Sequence, residues 1–194
     1  MTVTVETPDG IVSASSVIEV EALYFEGGEL VSGREVGYTY RGEAVALEVL
    51  PGQWLFALID APAALMYHAS PDQFGGIPRH DRGTWLSQIR RQRTPVELTG
   101  GFRPRLVTFA DLNDPVTVEA VDPDDLAATF GDGVRLREVT LEVVRQGVGG
   151  DEILGLLPWL PDVYSTMLDG SSTNSLYAEH RLANDLTQNH FWRP

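Results

Sequence analysis

The sequence predicts an α+β protein dominated by antiparallel β-structure, a meander with sandwich-like character, carrying two or three short helices. Three observations predict it. Stretches with period-2 alternation recur in both halves of the chain, clusters of Gly, Pro, Asp and Asn separate them at hairpin distances, and only a few brief segments carry helix start and stop signals.

Residues 2–6 alternate β-branched side chains and run into Thr7-Pro8-Asp9-Gly10, whose Asp-Gly takes positive φ at little cost, so a hairpin opens the chain. Over 17–25, Ile18, Val20, Ala22 and Tyr24 share one face and Glu19 and Glu21 the other, the mark of a half-buried strand. Gly27-Gly28 then turns the chain. Strands over 36–40, 44–50 and 54–59 follow, separated by Arg41-Gly42 and Pro51-Gly52, which makes the opening of the chain an antiparallel meander.

Between about 61 and 104, Pro62, Pro71, Gly75-Gly76, Pro78, Gly83, Pro95 and Gly100-Gly101 leave room for a helix only over 84–93. This region reads as a long surface excursion from a single domain spanning 1–194. A short strand over 105–109 leads into Asp111-Leu112-Asn113-Asp114-Pro115, which has the chemistry of a tight turn. Asp122-Pro123-Asp124-Asp125 supplies an N-cap acid, a proline at the first helical position and further acids in the first turn. Together with Gly131 these predict a helix over 123–130. In 134–144, Val134 and Leu136 share one parity whereas Val139, Leu141 and Val143 share the other, so the strand requires a one-residue slip near Arg137-Glu138, as a β-bulge provides. Past Gly149-Gly150, Asp151 caps a helix through Leu157 that Pro158 stops. Asn174 caps another through about Leu186, with Ala178, Leu182 and Leu186 on one side.

Composition narrows the chemistry. The 194 residues contain 28 acids against 14 basic residues, all arginine, for a net charge of −14. Such a charge favours solubility and opposes a general affinity for nucleic acid or anionic membrane. Cysteine is absent, which excludes a disulfide scaffold, a thiolate zinc site and a cysteine nucleophile. The most apolar stretch, 46–67, is interrupted by Glu48, Pro51-Gly52, Gln53, Asp60 and Pro62, so it reads as buried strands and not as a membrane span. Met1 runs directly into Thr2-Val3-Thr4-Val5-Glu6, with neither the basic nor the apolar region of a signal peptide.

Motifs for catalysis are lacking. His80-Asp81 and Glu179-His180 do not have the i, i+3 or i+4 spacing of helical ligands, and His68 and His190 read as loop histidines. Asp111, Asn113, Asp114 and Glu119 lack the glycine and the spacing of a calcium loop and read as turn and strand-end acids. Ser15-Ser16 and Ser171-Ser172 have no nucleophile elbow around them, and Gly149-Gly150 and Gly131-Asp132-Gly133 match no phosphate-binding fingerprint. No catalytic residue, metal ligand or cofactor is assigned. The one charge anomaly is a cluster of arginines, Arg79, Arg82, Arg90, Arg91, Arg93, Arg103 and Arg105, with only Asp81 and Glu97 as acids among them. Guanidinium forks suit carboxylate and phosphate alike, so the cluster either grips an anionic partner or pairs with the chain's own acids.

Several blocks together resemble an uncharacterised family of proteobacterial proteins. They are Thr2-Val-Thr-Val-Glu-Thr-Pro-Asp-Gly10 with Ser13-Ala-Ser-Ser-Val-Ile-Glu-Val20, Arg41-Gly-Glu-Ala-Val45, Leu112-Asn-Asp-Pro115, Val121-Asp-Pro-Asp-Asp-Leu126 with Phe130-Gly131, and Leu157-Pro-Trp-Leu160. The blocks span most of the chain, while the arginine-rich middle matches little. The resemblance implies no activity, ligand or catalytic residue. Many relatives carry a hydrophobic anchor or lipoprotein-type leader before the first strand, which implies the periplasm or envelope. The absent leader points instead to the cytoplasm, or to a trimmed exported domain.

The expected function is therefore a binding or interaction module associated with the cell envelope. A protein or other anionic partner would be held by Arg79, Arg82, Trp85, Arg90, Arg91 and Arg93. The alternatives are a metal-independent hydrolase with a dispersed site drawing on His80, Asp81 and His180, or an acidic inhibitor acting by charge mimicry. The sequence leans against an enzyme, because no motif sets a nucleophile, a base and an oxyanion donor at interpretable spacing.

Overall fold

Strand-forming segments separated by tight turns must find partners for their backbone groups, and among the described residues they do so in three antiparallel sheets. The structure, a computed structural model, describes residues 1–24, 36–60, 65, 69 and 87–194. The opening hairpin pairs β1 (Thr2–Thr7) with β2 (Gly10–Ser15), and the Thr7 hydroxyl donates to the Gly10 carbonyl at 2.9 Å across the turn. Gly10 has φ 133°, the positive value expected of it. On its other side β1 pairs with β10 (Arg135–Leu141), which in turn pairs with the two-residue β7 (Val96–Glu97), in the order β2-β1-β10-β7.

The second sheet has the order β11-β4-β3, from β3 (Ile18–Tyr24), β4 (Val36–Glu43) and β11 (Trp192–Arg193). In the third, β5 (Val45–Leu50), β6 (Gln53–Ala57), β8 (Leu106–Phe109) and β9 (Val118–Val121) stand in sequence order. The protein is thus α+β with β dominant, as the sequence predicts. The meander, however, does not form one sheet: its three hairpins are shared among three. Arg41-Gly42 does not end a strand either. β4 continues through it to Glu43, and one residue, Ala44, separates β4 from β5 in the next sheet. Gly42 makes the passage with φ 135°, where a Cβ would stand 2.6 Å from the Val17 carbonyl oxygen.

The third sheet is buried on both faces, which explains its nearly continuous apolar runs. One face meets the first sheet in a core of Val3, Val5, Val45, Leu47, Leu55, Leu106, Val121 and Val139. The opposite face carries Phe56, Val107 and Phe109 and is covered by Ile153, Leu157, Leu160, Leu186 and Phe191 of the C-terminal segment. Phe109 stands edge-on to Phe56 at 5.5 Å and to Trp159 at 5.7 Å, pairs worth roughly 0.5–1.5 kcal/mol each beyond their burial. Polar bonds pin this cover down: the Trp159 indole donates to the Leu112 carbonyl, the Trp192 indole to Asp151, and the Ile153 amide to Glu43.

The predicted slip in the late strand is present. Thr4 faces Glu138 and Val5 faces Leu136, so Arg137 is the extra, exposed residue. Val134, Val139 and Leu141 are buried, and Leu136 and Val143 pack partly buried against the same core. The strand itself is shorter than the predicted 134–144.

The helices are shorter than predicted. Only α1 (Ala127–Phe130) forms in the 123–130 segment, closed at Gly131 with φ 100°. The Asp122 carboxylate accepts from the Asp124 amide at 2.9 Å, a local turn that takes up Pro123 to Asp125 before the helix starts, and Asp125 accepts from the Ala128 amide. α2 (Glu152–Leu156) follows Asp151, whose side chain makes no cap bond to it and accepts from Trp192 instead. The helix expected over 174–186 reduces to α3 (Arg181–Asp185), with Asn174 capping nothing. Of the helix expected over 84–93, residues 84–86 lie outside the described residues and 87–89 are helical.

Candidate functional site

Loops on a rigid sheet scaffold are where binding groups collect, and the described part of the arginine cluster lies on such connections. Ile89 is buried in the first core and anchors the short helical piece, with the Gln92 amide closing on the Gln88 and Ile89 carbonyls. Arg90, Arg91 and Arg93 extend from it, all exposed. Arg79, Arg82 and Trp85 lie outside the described residues.

The structure divides the cluster by partner. Arg103 pairs with Asp124 at 2.8 Å. Arg105 is held from two sides, through Nε and Nη2 by Asp60 Oδ1 at 2.9 and 2.6 Å and through Nη1 by Asp185 at 2.7 Å. Its backbone amide also donates to Asp60. Burial opposes the charge on Arg105, but Asp60 and then Asp185 outweigh it and raise its pKa above the ordinary value. By contrast, no carboxylate of a described residue ion-pairs with Arg90, Arg91 or Arg93. Among the described residues Arg93 is oriented by carbonyls, donating through Nη1 to Gln92 at 2.7 Å and Val143 at 3.2 Å.

Arg105 also lines a cleft of about 390 Å³, with walls that include Met1, Leu58, Ile59, Leu65, Phe102 and Pro104 and with Asp60, Arg103 and His190 as further polar residues. The strand end after β6 brings Asp60, the residue before β8 brings Arg105, and a 3-10 turn at Gln188–His190 brings His190. The His190 Nδ1 accepts from the Thr187 amide at 2.9 Å, so the neutral ring carries its proton on Nε2. Burial first, then the charge of Arg105, lowers the His190 pKa below its ordinary value. The cleft therefore offers apolar walls, an imidazole and a neutralised ion network, without a hydroxyl or thiol nucleophile among its described lining residues.

Sequence reasoning missed Asp60, Asp185 and His190 as neighbours of Arg105. They stand 45, 80 and 85 positions from it, and no local pattern joins them. Neither His180 nor the turn acids line the cleft. His180 is exposed before α3, and His68, His80 and Asp81 lie outside the described residues. Asp111 and Asp114 spend their carboxylates on turn amides, accepting from Asn113 and Val116. No group of three or more metal-ligating side chains occurs among the described residues. No helix among them is long and apolar enough to cross a membrane. No family model, no curated protein and no solved structure matches this chain.

Proposed function

We propose that this protein is a binding module that holds an anionic partner, a protein surface or phosphate-bearing molecule, through Arg90, Arg91 and Arg93. The observation that carries the reading is the division within the arginine cluster. Arg103 and Arg105 are neutralised by Asp124, Asp60 and Asp185, while Arg90, Arg91 and Arg93 are exposed without an acidic partner among the described residues. In a chain of net charge −14, three guanidinium groups so close in sequence make a local exception that an anion can recognise. Arg79, Arg82 and Trp85 belong to the same proposal, with Trp85 as an aromatic anchor of the kind interfaces favour beside arginine. A place at the cell envelope is part of it too, and fractionation of the producing cells checks that separately.

The test replaces Arg90, Arg91 and Arg93 by Gln and compares partner capture from a lysate of the source cells with thermal stability. Partners are lost while stability changes by no more than about 0.5 kcal/mol, the range of ordinary surface substitutions. The pair Arg90→Gln with Arg91→Gln leaves the bonds of Arg93 to Gln92 and Val143 intact and weakens capture in the same direction. Retained partners with a stability loss of several kcal/mol would show that the cluster is structural.

A further inference from the structure

A strand at a sheet edge leaves alternate N–H and C=O groups unpaired, and proteins blunt such edges with charge, proline, bulges or brevity. Most edges here are blunted. β7 and β11 are two residues long. β9 carries Glu119 and follows Pro115, β5 carries Glu48, and β3 carries Glu19 and Glu21. Among the described edge strands β2 is the exception, with six residues, Gly10-Ile-Val-Ser-Ala-Ser15, and neither a charge nor a proline.

The ladder to β1 fixes which groups point outward. Met1 and Ser16 exchange both backbone bonds, at 3.0 and 2.8 Å, so the residues of β2 that bond inward are Gly10, Val12 and Ala14. Ile11, Ser13 and Ser15 therefore turn their N–H and C=O groups away from β1. All three are exposed, Ile11 at 58%, and among the described residues nothing bonds to those groups.

We propose that β2 pairs antiparallel with β2 of a second copy of this chain, about a two-fold axis at Ser13, joining the two first sheets into one. The strand is self-complementary in that register. Ser13 faces its own counterpart and Ile11 faces Ser15, so every outward N–H and C=O finds a partner. Val12 faces Ala14 on the side already packed against the core, which continues the apolar face across the axis. Asp9 then lies toward Val17 of the other copy. A slide of two residues in one direction brings it toward Glu19, and like charges opposite one another are destabilising, while a slide in the other direction sets Ser15 opposite Asp9, beyond the end of β2, and leaves its outward groups without a strand partner.

Because the two copies repel through their net charge and meet through an uncharged strand, added salt tightens the pairing. Sedimentation of the full chain over a range of concentrations, at about 0.15 M and about 0.5 M NaCl, is expected to show a dimer strengthened by salt. Ser13→Lys sets two cations against each other at the axis and weakens the dimer by about tenfold or more, with the melting temperature of the monomer nearly unchanged. The native chain has no cysteine, so Ser13→Cys gives a clean second measurement. Facing Cα atoms about 5.5 Å apart are within disulfide range, so the oxidised variant runs as a covalent dimer on a non-reducing gel, whereas Ile11→Cys, facing Ser15, does not. A chain that stays monomeric at every concentration, a dimer indifferent to Ser13→Lys, or equal cross-linking of the two cysteine variants would overturn the proposal.

Discussion

Gly42 shows how much of the fold can rest on one position. Its φ of 135° is a conformation that side-chain-bearing residues rarely adopt, and a Cβ there would meet the Val17 carbonyl oxygen at 2.6 Å. The β2–β3 and β4–β5 connections pass each other at this point, since Gly42 pairs with Ile18 at the start of β3. Gly42→Ala therefore has two unfavourable consequences, backbone strain and a clash with main chain that cannot rotate away. Together they cost on the order of 3 kcal/mol. Urea unfolding reads this directly, and a loss below about 0.5 kcal/mol would mean that the two strands can separate without disturbing the sheets. The sequence signals a special backbone at Arg41-Gly42 but not its kind. A glycine that breaks a strand and one that lets two chains cross look alike until the partner is known. Arg137 is the opposite case: the change of parity between Leu136 and Val139 is local, so the bulge is legible from the residues alone.

At the scale of elements, the segment expected as a helix over 174–186 is instead a loop built around one buried side chain. Asn184 is 1% exposed. Its Oδ1 accepts from the Ser175 amide at 2.6 Å, and its Nδ2 donates to Asp169 and to the Thr173 carbonyl. Asn174 bonds back to Asp185, and Arg181 to the Ser175 carbonyl. Ala178, Leu182 and Leu186 do have helical spacing, but Ser, Thr and Asn offer the backbone other partners, and here those partners win everywhere except in α3. The same competition shortens the predicted 123–130 helix to α1, where Asp122 and Asp125 bond to nearby amides in the turn. Asn184→Ala leaves the Ser175 amide and the Asp169 Oδ2 without the bond each makes to Asn184. It is expected to cost about 2–4 kcal/mol and to speed hydrogen exchange at Ser175 far more than at Phe56 in the third sheet. Equal loss of protection at both sites would show that the loop and the sheet open as one unit.

At the scale of the whole molecule, Asp60, Arg105 and His190 reach the cleft from three distant parts of the chain, which is why no motif foretold them, and the titration of His190 links the packing of the C-terminal cover to pH. His190 sits between the end of β6 and the cover, and the Ile59 amide donates to its carbonyl. Burial, reinforced by Arg105, holds its folded pKa below the ordinary 6.5, against weaker opposing effects from Asp60, the Thr187 carbonyl beside the ring and Asp185. The unfolded chain therefore binds a proton at His190 more readily than the folded one. Stability must fall as the pH drops through about 6.5 and level off once the folded ring also titrates. Glu43 works in the other direction. Its pKa is raised, first by burial and then by Asp151 and Glu152 against the bond from the Ile153 amide, so acidification favours the folded state as the pH falls through its raised folded value toward 4.5. The two effects differ in sign, and a substitution at one of them separates them. In His190→Asn the amide oxygen can stand in for Nδ1 as acceptor for the Thr187 amide, but the side chain itself does not titrate, whereas the buried N-terminal ammonium of Met1, whose pKa burial lowers, titrates alike in both proteins. The melting temperature of the native chain is expected to decline between about pH 7.5 and 5.5, and that of the variant to decline much less. Parallel curves for the two proteins would place the acid sensitivity elsewhere and remove His190 as the titrating group that couples the cleft to the fold.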